Sequence, residues 1–208
     1  RLMLARGSDV LSATTPAATA PLNEWLAWLE AARGEHIDLG LERCVEVAAR
    51  LELPRPAPVV VTVAGTNGKG SSVALLSSIW RGAGYRVGAY TSPHLLRYNE
   101  RIRIDGVAVD DARISAAFAR IEAARESVAL TYFEFGTLAA LCIFAEAGLD
   151  VVVLEVGLGG RLDAVNIVDA DVALIAAIGL DHEDWLGNSR EQIATEKAGI
   201  MRKGRVAV

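Results

Sequence analysis

The chain has 208 residues, 52% hydrophobic and 23% charged, with a formal net charge of -5. That is enough apolar material for one well-filled core, or for one domain and the start of another, and it excludes a disordered chain. A negative balance without basic clusters or interleaved aromatics excludes nucleic-acid and anionic-membrane surfaces, so an anionic ligand has to be held by a local site.

Residues 1–21 run loosely through Ser, Thr, Ala and Pro. Ala18-Thr19-Ala20 resembles a cleavage site, but no apolar segment precedes it, so a flexible leader is expected in place of a signal peptide. Leu22, Trp25, Leu26 and Leu29 stand at helical spacing over 21–30, and a second helix is expected over 39–51 behind Asp38. The apolar run Val59 to Val63 reads as the first strand. An alternating pattern follows: helix 72–83, strand 86–90, a short extended segment around 101–104, helices 110–125 and 134–147, strands 151–156 and 172–178, and helix 190–201. Val73, Leu76 and Trp80 form one stripe on the 72–83 helix, as a crossover helix covering a sheet requires. The expected fold is α/β, a mostly parallel sheet with helices on both faces. Cys44 and Cys142 are far apart in helix-like stretches without CxxC spacing, which disfavours structural zinc and disulfides and suits a reducing cytoplasm. The longest apolar runs fall far short of the roughly 20 residues a membrane span needs. Val206-Ala207-Val208 opens a further apolar run at the end of the chain, and the expectation is a domain over 22–206 cut near 206 from something longer.

Chemistry concentrates where strands of such a sheet end. Ala64-Gly65-Thr66-Asn67-Gly68-Lys69-Gly70-Ser71 lies between the first strand and its helix. Its three glycines let backbone N–H groups approach an anion, and Lys69 adds a charge that can follow a phosphoryl group, so a nucleoside triphosphate is the natural guest. The strict P-loop asks for Gly six residues before the Lys and a hydroxyl just after it. Val63 and Gly70 occupy those places, so the loop is a variant. The strand 86–90 ends in Thr91-Ser92-Pro93-His94, the strand 151–156 carries Glu155, and 172–178 leads into Asp181-His182, all at the ends where an open α/β sheet binds ligands. Glu155 is placed to hold Mg²⁺ or, alternatively, to accept N–H bonds from Gly157-Leu158-Gly159-Gly160. Ser92 alone reads as a turn residue and His182 alone as a loop histidine; His36 and His94 are structural or substrate-shell candidates. Lys197 falls on an apolar helix stripe with Ile193, Ala194, Ile200 and Met201, where it either snorkels to solvent or stands unusually buried. Glu134, between Phe133 and Phe135, is either a helix N-terminal acid or part of a pocket.

Together, Gly65 to Ser71, Thr91 to Leu95, Thr131 to Phe135, Leu154 to Ala164 and Asp181-His182 through Glu196 to Ile200 resemble the bifunctional dihydrofolate synthase/folylpolyglutamate synthase family, relatives of the Mur ligases. The resemblance covers nearly all of 22–206. It implies an ATP- and Mg²⁺-dependent ligase that joins L-glutamate to dihydropteroate and further glutamates to folates through an acyl phosphate. Carried over by position, the ATP loop falls on Gly65, Thr66, Asn67, Gly68, Lys69, Gly70 and Ser71, with Lys69 catalytic; the metal ligands fall on Ser92, Glu155 and His182. The dihydropteroate site falls on His36, Ile37, Asp38, Leu39, Thr131, Tyr132, Phe133, Glu134 and Leu162, and Lys197 matches a lysine that the family carries as a catalytic carbamate. Val165 stands where the family usually has Thr. The family also has a second domain that closes over ATP, and a monomer is expected. Two other readings stay open: a Mur-type ligase acting on a peptidoglycan precursor, and a nucleotide- or pterin-binding fragment without turnover.

Overall fold

The computed structural model describes residues 14–33 and 37–208. Seven strands form one sheet in the order β4-β3-β2-β5-β1-β6-β7: β1 Val59–Ala64, β2 Val87–Tyr90, β3 Ile102–Ile104, β4 Val107–Ala108, β5 Val151–Glu155, β6 Val172–Ile175 and β7 Val206–Ala207. The five strands β2, β5, β1, β6 and β7 are mutually parallel, and β3 and β4 add an antiparallel edge. The two central strands β1 and β5 are almost wholly buried, and their Val-rich runs lack polar alternation because helices cover both faces. The fold is thus the mostly parallel α/β sheet expected, with the extended segment at 102–104 turned into an antiparallel hairpin by the positive-φ pair Asp105-Gly106.

One face carries the larger core. Helices α1 (Leu22–Arg33), α2 (Glu42–Arg50), α4 (Asp111–Arg125) and α5 (Tyr132–Ala145) pack there around Trp25, Leu29, Phe118, Phe135 and Phe144. Helix α5 is buried nearly all round, as its sequence of Leu, Ala, Ile and Phe demands. Helix α3 (Lys69–Gly82) covers the other face through Val73, Leu76 and Trp80, the expected stripe, against Val61, Val63, Val151 and Val153. The leader is described from Thr14 onwards, and its last residues are not loose: Ala20 is buried in the large core, and its N–H bonds the Ala17 carbonyl at 2.8 Å.

Several element boundaries differ from the sequence reading. Helix α2 starts at Glu42, three residues after the expected 39, because Asp38 does not cap it but pairs with Arg43 at 2.7 Å. Helix α3 starts at Lys69 in place of 72, immediately behind Gly68 in the left-handed conformation at φ 85. Strand β6 stops at Ile175, short of 178, because Ala177 turns to the loop after β1. A one-turn helix α6 (Glu183–Leu186) was not foreseen, and α7 (Arg190–Ala198) ends at Gly199, before the expected 201. Among the described residues, no helix is long and apolar enough to cross a membrane.

Candidate nucleotide and pterin site

β1 lies between β5 and β6, so the loop that leaves its C-terminal end emerges between theirs. Val63 is in register with Glu155, and Ala64 with Ile175. The loop is clamped on the β6 side. Thr66 N–H donates to the Ala177 carbonyl at 2.7 Å, and its hydroxyl both donates to the Gly179 carbonyl at 3.1 Å and accepts from Gly179 N–H at 3.0 Å. Gly65 cannot carry a side chain here, because a Cβ would stand 3.0 Å from the Ala176 Cβ and 3.2 Å from the Asn67 carbonyl oxygen. Gly68 supplies the left-handed turn that lets α3 begin at once, leaving the first N–H groups of α3 free for an anion. Gly70 is not a turn residue: it lies in the first turn of α3, and a Cβ there would meet the Glu155 carboxylate oxygens at 3.7 and 3.8 Å. Where a strict P-loop has a hydroxyl, a carboxylate faces the helix instead. The Lys69 ammonium folds back on the loop, donating to the Gly65 carbonyl at 2.9 Å and the Thr66 carbonyl at 3.4 Å.

Glu155 is 4% exposed and accepts one bond, from Ser92 N–H at 3.2 Å. Burial pushes its carboxyl above the ordinary range, with the Ser92 N–H and the Lys69 ammonium pulling it back. It forms no ion pair among the described residues, and it does not bond the glycine loop after β5 that was its alternative partner. A buried carboxylate without an ion-pair partner beside a serine is a donor set that suits a hard divalent ion. His182, left-handed at φ 50 before α6, is half exposed and lies 3.8 Å from Asp181. Ser92 and His182 line one cavity, whose lining does not include Glu155. No three His, Cys, Asp or Glu side chains group as metal ligands among the described residues, so a metal here would need donors beyond these side chains, the Ser92 hydroxyl among them.

Lys197 is 4% exposed, which settles its surroundings: it does not snorkel. Its pKa is lowered by burial first and by the Lys69 ammonium second, with Asp181 opposing. Ile193 and Ile200 beside it are buried, while Met201 is exposed. Gly160 admits the last turn of α7 against the loop after β5, since a Cβ there would lie 2.8 Å from the Glu196 carbonyl oxygen and 2.9 Å from that of Lys197.

The cavity has a volume of about 680 Å³ and a size suited to a small organic ligand. Ile37, Asp38, Leu39, Thr131, Tyr132, Phe133, Glu134 and Leu162 all line it, so the structure brings together eight residues from three separate stretches of sequence. His36 lies outside the described residues. Glu134 serves both of its proposed roles. It closes a capping box with Thr131, through bonds of 2.6 and 3.2 Å, and it pairs with Arg43 at 2.9 Å. Arg43 also holds Asp38, so one guanidinium ties the 37–40 wall to the start of α5.

Three charged lining residues were not among the candidate site residues. Asp163, 3% exposed, accepts N–H bonds from Leu158 at 2.8 Å and Val165 at 3.0 Å, and burial pushes its carboxyl up to about 6. Its place within Leu162-Asp163-Ala164, an acid in an apolar run, was the available signal. Arg101 and Glu30 gave none, because each sits at a helix or strand end where a surface charge is ordinary. Val165, in the position usually held by Thr, is wholly buried in the large core and keeps its backbone bond to Asp163.

Comparison with known proteins agrees with this geometry. Residues 63–207 match the family described as Mur ligase middle domain. The dihydrofolate synthase/folylpolyglutamate synthase of Escherichia coli (strain K12) is 58% identical over 194 residues, which are 93% of this chain and 46% of that protein. The structure of E. coli FolC in complex with DHPP and ADP superposes with a TM-score of 0.90 at 59% identity, over 92% of this chain and 46% of that one. A bifunctional folylpolyglutamate synthase/dihydrofolate synthase with Mn, AMPPNP and L-glutamate bound gives a TM-score of 0.87 at 60% identity, over 93% of this chain and 47% of that one. The chain spans about half the length of the curated relatives it matches. It belongs to the Mur ligase middle domain family.

Proposed function

We propose that this chain is the ATP-binding part of a ligase that joins L-glutamate to dihydropteroate and adds further glutamates to folates. The observation that carries this reading is the phosphate loop after β1 standing beside a cavity built from 37–40, 131–134, 157–158 and 162–164, with Ser92 and Glu155 between them. The E. coli and AMPPNP-bound relatives supply the substrate classes: an ADP- and DHPP-bound structure and one with Mn, AMPPNP and L-glutamate.

In this reading the loop N–H groups and Lys69 hold the triphosphate, and the cavity orients the acceptor so that its carboxylate faces the γ-phosphorus. A carboxylate oxygen displaces ADP to give an acyl phosphate. The glutamate α-amine then attacks the carbonyl carbon, phosphate leaves, and the amine loses a proton. A magnesium ion, when bound, neutralises charge on the phosphoryl oxygens. Ser92, Glu155 and His182 would hold it, and Lys197, once carboxylated, would join them. Lys197 supports that modification: a buried amine pushed toward its neutral form can attack carbon dioxide, releasing a proton and leaving two anionic oxygens. The remaining length seen in the relatives would supply adenine and glutamate contacts and exclude water from the acyl phosphate. A cytoplasmic monomer, with no nucleic-acid or membrane partner, completes the proposal.

The test is phosphate release from ATP by the two-domain protein, which should require both dihydropteroate and glutamate. Release with a peptidoglycan precursor in place of dihydropteroate would replace this reading with the Mur-type one. For the 208-residue chain alone, nucleotide binding with negligible amide formation is expected.

A further inference from the structure

Arg101 is the only Lys or Arg among the described residues that line the cavity. It is 8% exposed, at the end of a 3-10 turn (Tyr98–Arg101) that leads into β3. Its backbone carbonyl accepts Thr91 N–H at 2.9 Å, which seats it beside the Ser92 loop. Its Nε donates to His94 Nδ1 at 2.9 Å, and its guanidinium carbon lies 5.3 Å from the Tyr98 ring centre and 5.6 Å from that of Tyr132. These contacts orient the fork without neutralising it. Among the described residues no carboxylate forms an ion pair with Arg101, although four acids line the same cavity. Three of these are otherwise engaged: Asp38 and Glu134 by Arg43, and Asp163 by backbone N–H groups. Glu30, the fourth, is exposed and pairs with nothing among the described residues.

A buried guanidinium costs stability unless an anion completes it. We propose that Arg101 is a specificity residue of the acceptor site, binding a carboxylate of the acceptor substrate with the N–H groups left over from its contacts with His94 and Tyr90. A planar, singly charged carboxylate matches the guanidinium fork. A phosphate fits less well, since Glu30 and Asp38 would repel its second charge and the phosphate loop already serves that end. This inference rests on the cavity being the pterin acceptor site. Arg101 would then both select acidic acceptors and hold the carboxylate beside Ser92.

The test compares pteroic acid with its primary amide, an isosteric neutral probe, by titration against the 208-residue chain. The acid should bind at least about tenfold tighter, the usual advantage of a hydrogen bond to a charged group. Arg101→Gln should abolish that preference, and Arg101→Lys, which keeps the charge but not the fork, should restore part of it. Amide binding serves as the check that each variant's cavity is intact. Equal binding of acid and amide by the unmodified chain overturns the inference without touching the proposed function, and needs no variant. A preference that survives in Arg101→Gln also overturns it. If neither probe binds, the acceptor-site reading fails and this inference fails with it.

Discussion

The Lys69 ammonium acts electrostatically on both Glu155 and Lys197, yet each of the three answers differently to substitution. The Lys69 ammonium bonds only loop carbonyls, so in the proposed ligase Lys69→Ala should lower phosphoryl transfer by about 100-fold or more and move the melting temperature by less than about 2 °C. Turnover that persists at near-normal rates would sink the cradle assignment. Glu155→Gln keeps the shape but removes the charge. The magnesium concentration for half-maximal activity should rise about 10- to 100-fold. Because burial raises the pKa of Glu155, its ionised form is disfavoured by folding, and the Gln variant should be at least as stable as the parent above neutral pH. A metal titration that does not move would count against Glu155 as a ligand. Lys197→Ala should cripple turnover, with partial recovery in acetate or formate, whose oxygens can stand in for a carbamate. An alanine variant with normal activity, or intact protein whose mass never includes an added carbon dioxide in bicarbonate buffer, would remove the carbamate from the mechanism.

Helices α2 and α5 are joined at the cavity wall by Arg43, whose guanidinium serves both Glu134 and Asp38. Glu134 is 3% exposed, so its carboxylate depends on that partner and on the Thr131 cap. Arg43→Leu strands a buried charge and should cost about 3 kcal/mol, the lower end for a broken buried pair because Arg43 is partly exposed. Replacing both partners by Leu should recover much of that loss. Urea midpoints of the single and double variants measure this directly, and additive losses would show that the pair is not coupled. The single variant should also weaken pteroic acid binding, since Asp38 and Leu39 lose their tether to α5. Capping and pairing thus make one residue both the start of a helix and a wall of the site, which is why the two sequence readings of Glu134 were not true alternatives.

Over the whole molecule, the buried acids make stability depend on pH. Asp163 has its pKa raised to about 6 in the folded chain, against an ordinary value near 3.8. Between those values the folded state keeps a proton that the unfolded state has released, so stability is fully present below about 4 and declines as pH rises through 6. The loss is on the order of 3 kcal/mol, from about two pKa units. Denaturation of the chain at pH 4.5 and 7.5, compared with Asp163→Asn, should show a shallower decline in the variant. Identical declines would mean that Asp163 is not the group responsible.

What the sequence determined by itself was the order of the main helices and central strands and the glycine loop after the first strand, because both are local. Val-rich runs of strand length between helical stripes specify buried parallel strands whatever else surrounds them, and Gly65, Gly68 and Lys69 announce themselves by spacing. The resemblance singled out the proposed acceptor residues, but only the tertiary structure made them one cavity, since 37–40, 101, 131–134, 157–158 and 162–164 meet through sheet order and helix packing rather than through proximity in the chain. Burial was decided there too. Lys197 stood between snorkelling and enclosure until the loop at Gly160 closed against α7, and Arg101 looked like any surface cation until Tyr98, Tyr132 and His94 surrounded it. Desolvation is a property of everything packed around a group, so no window of sequence contains it.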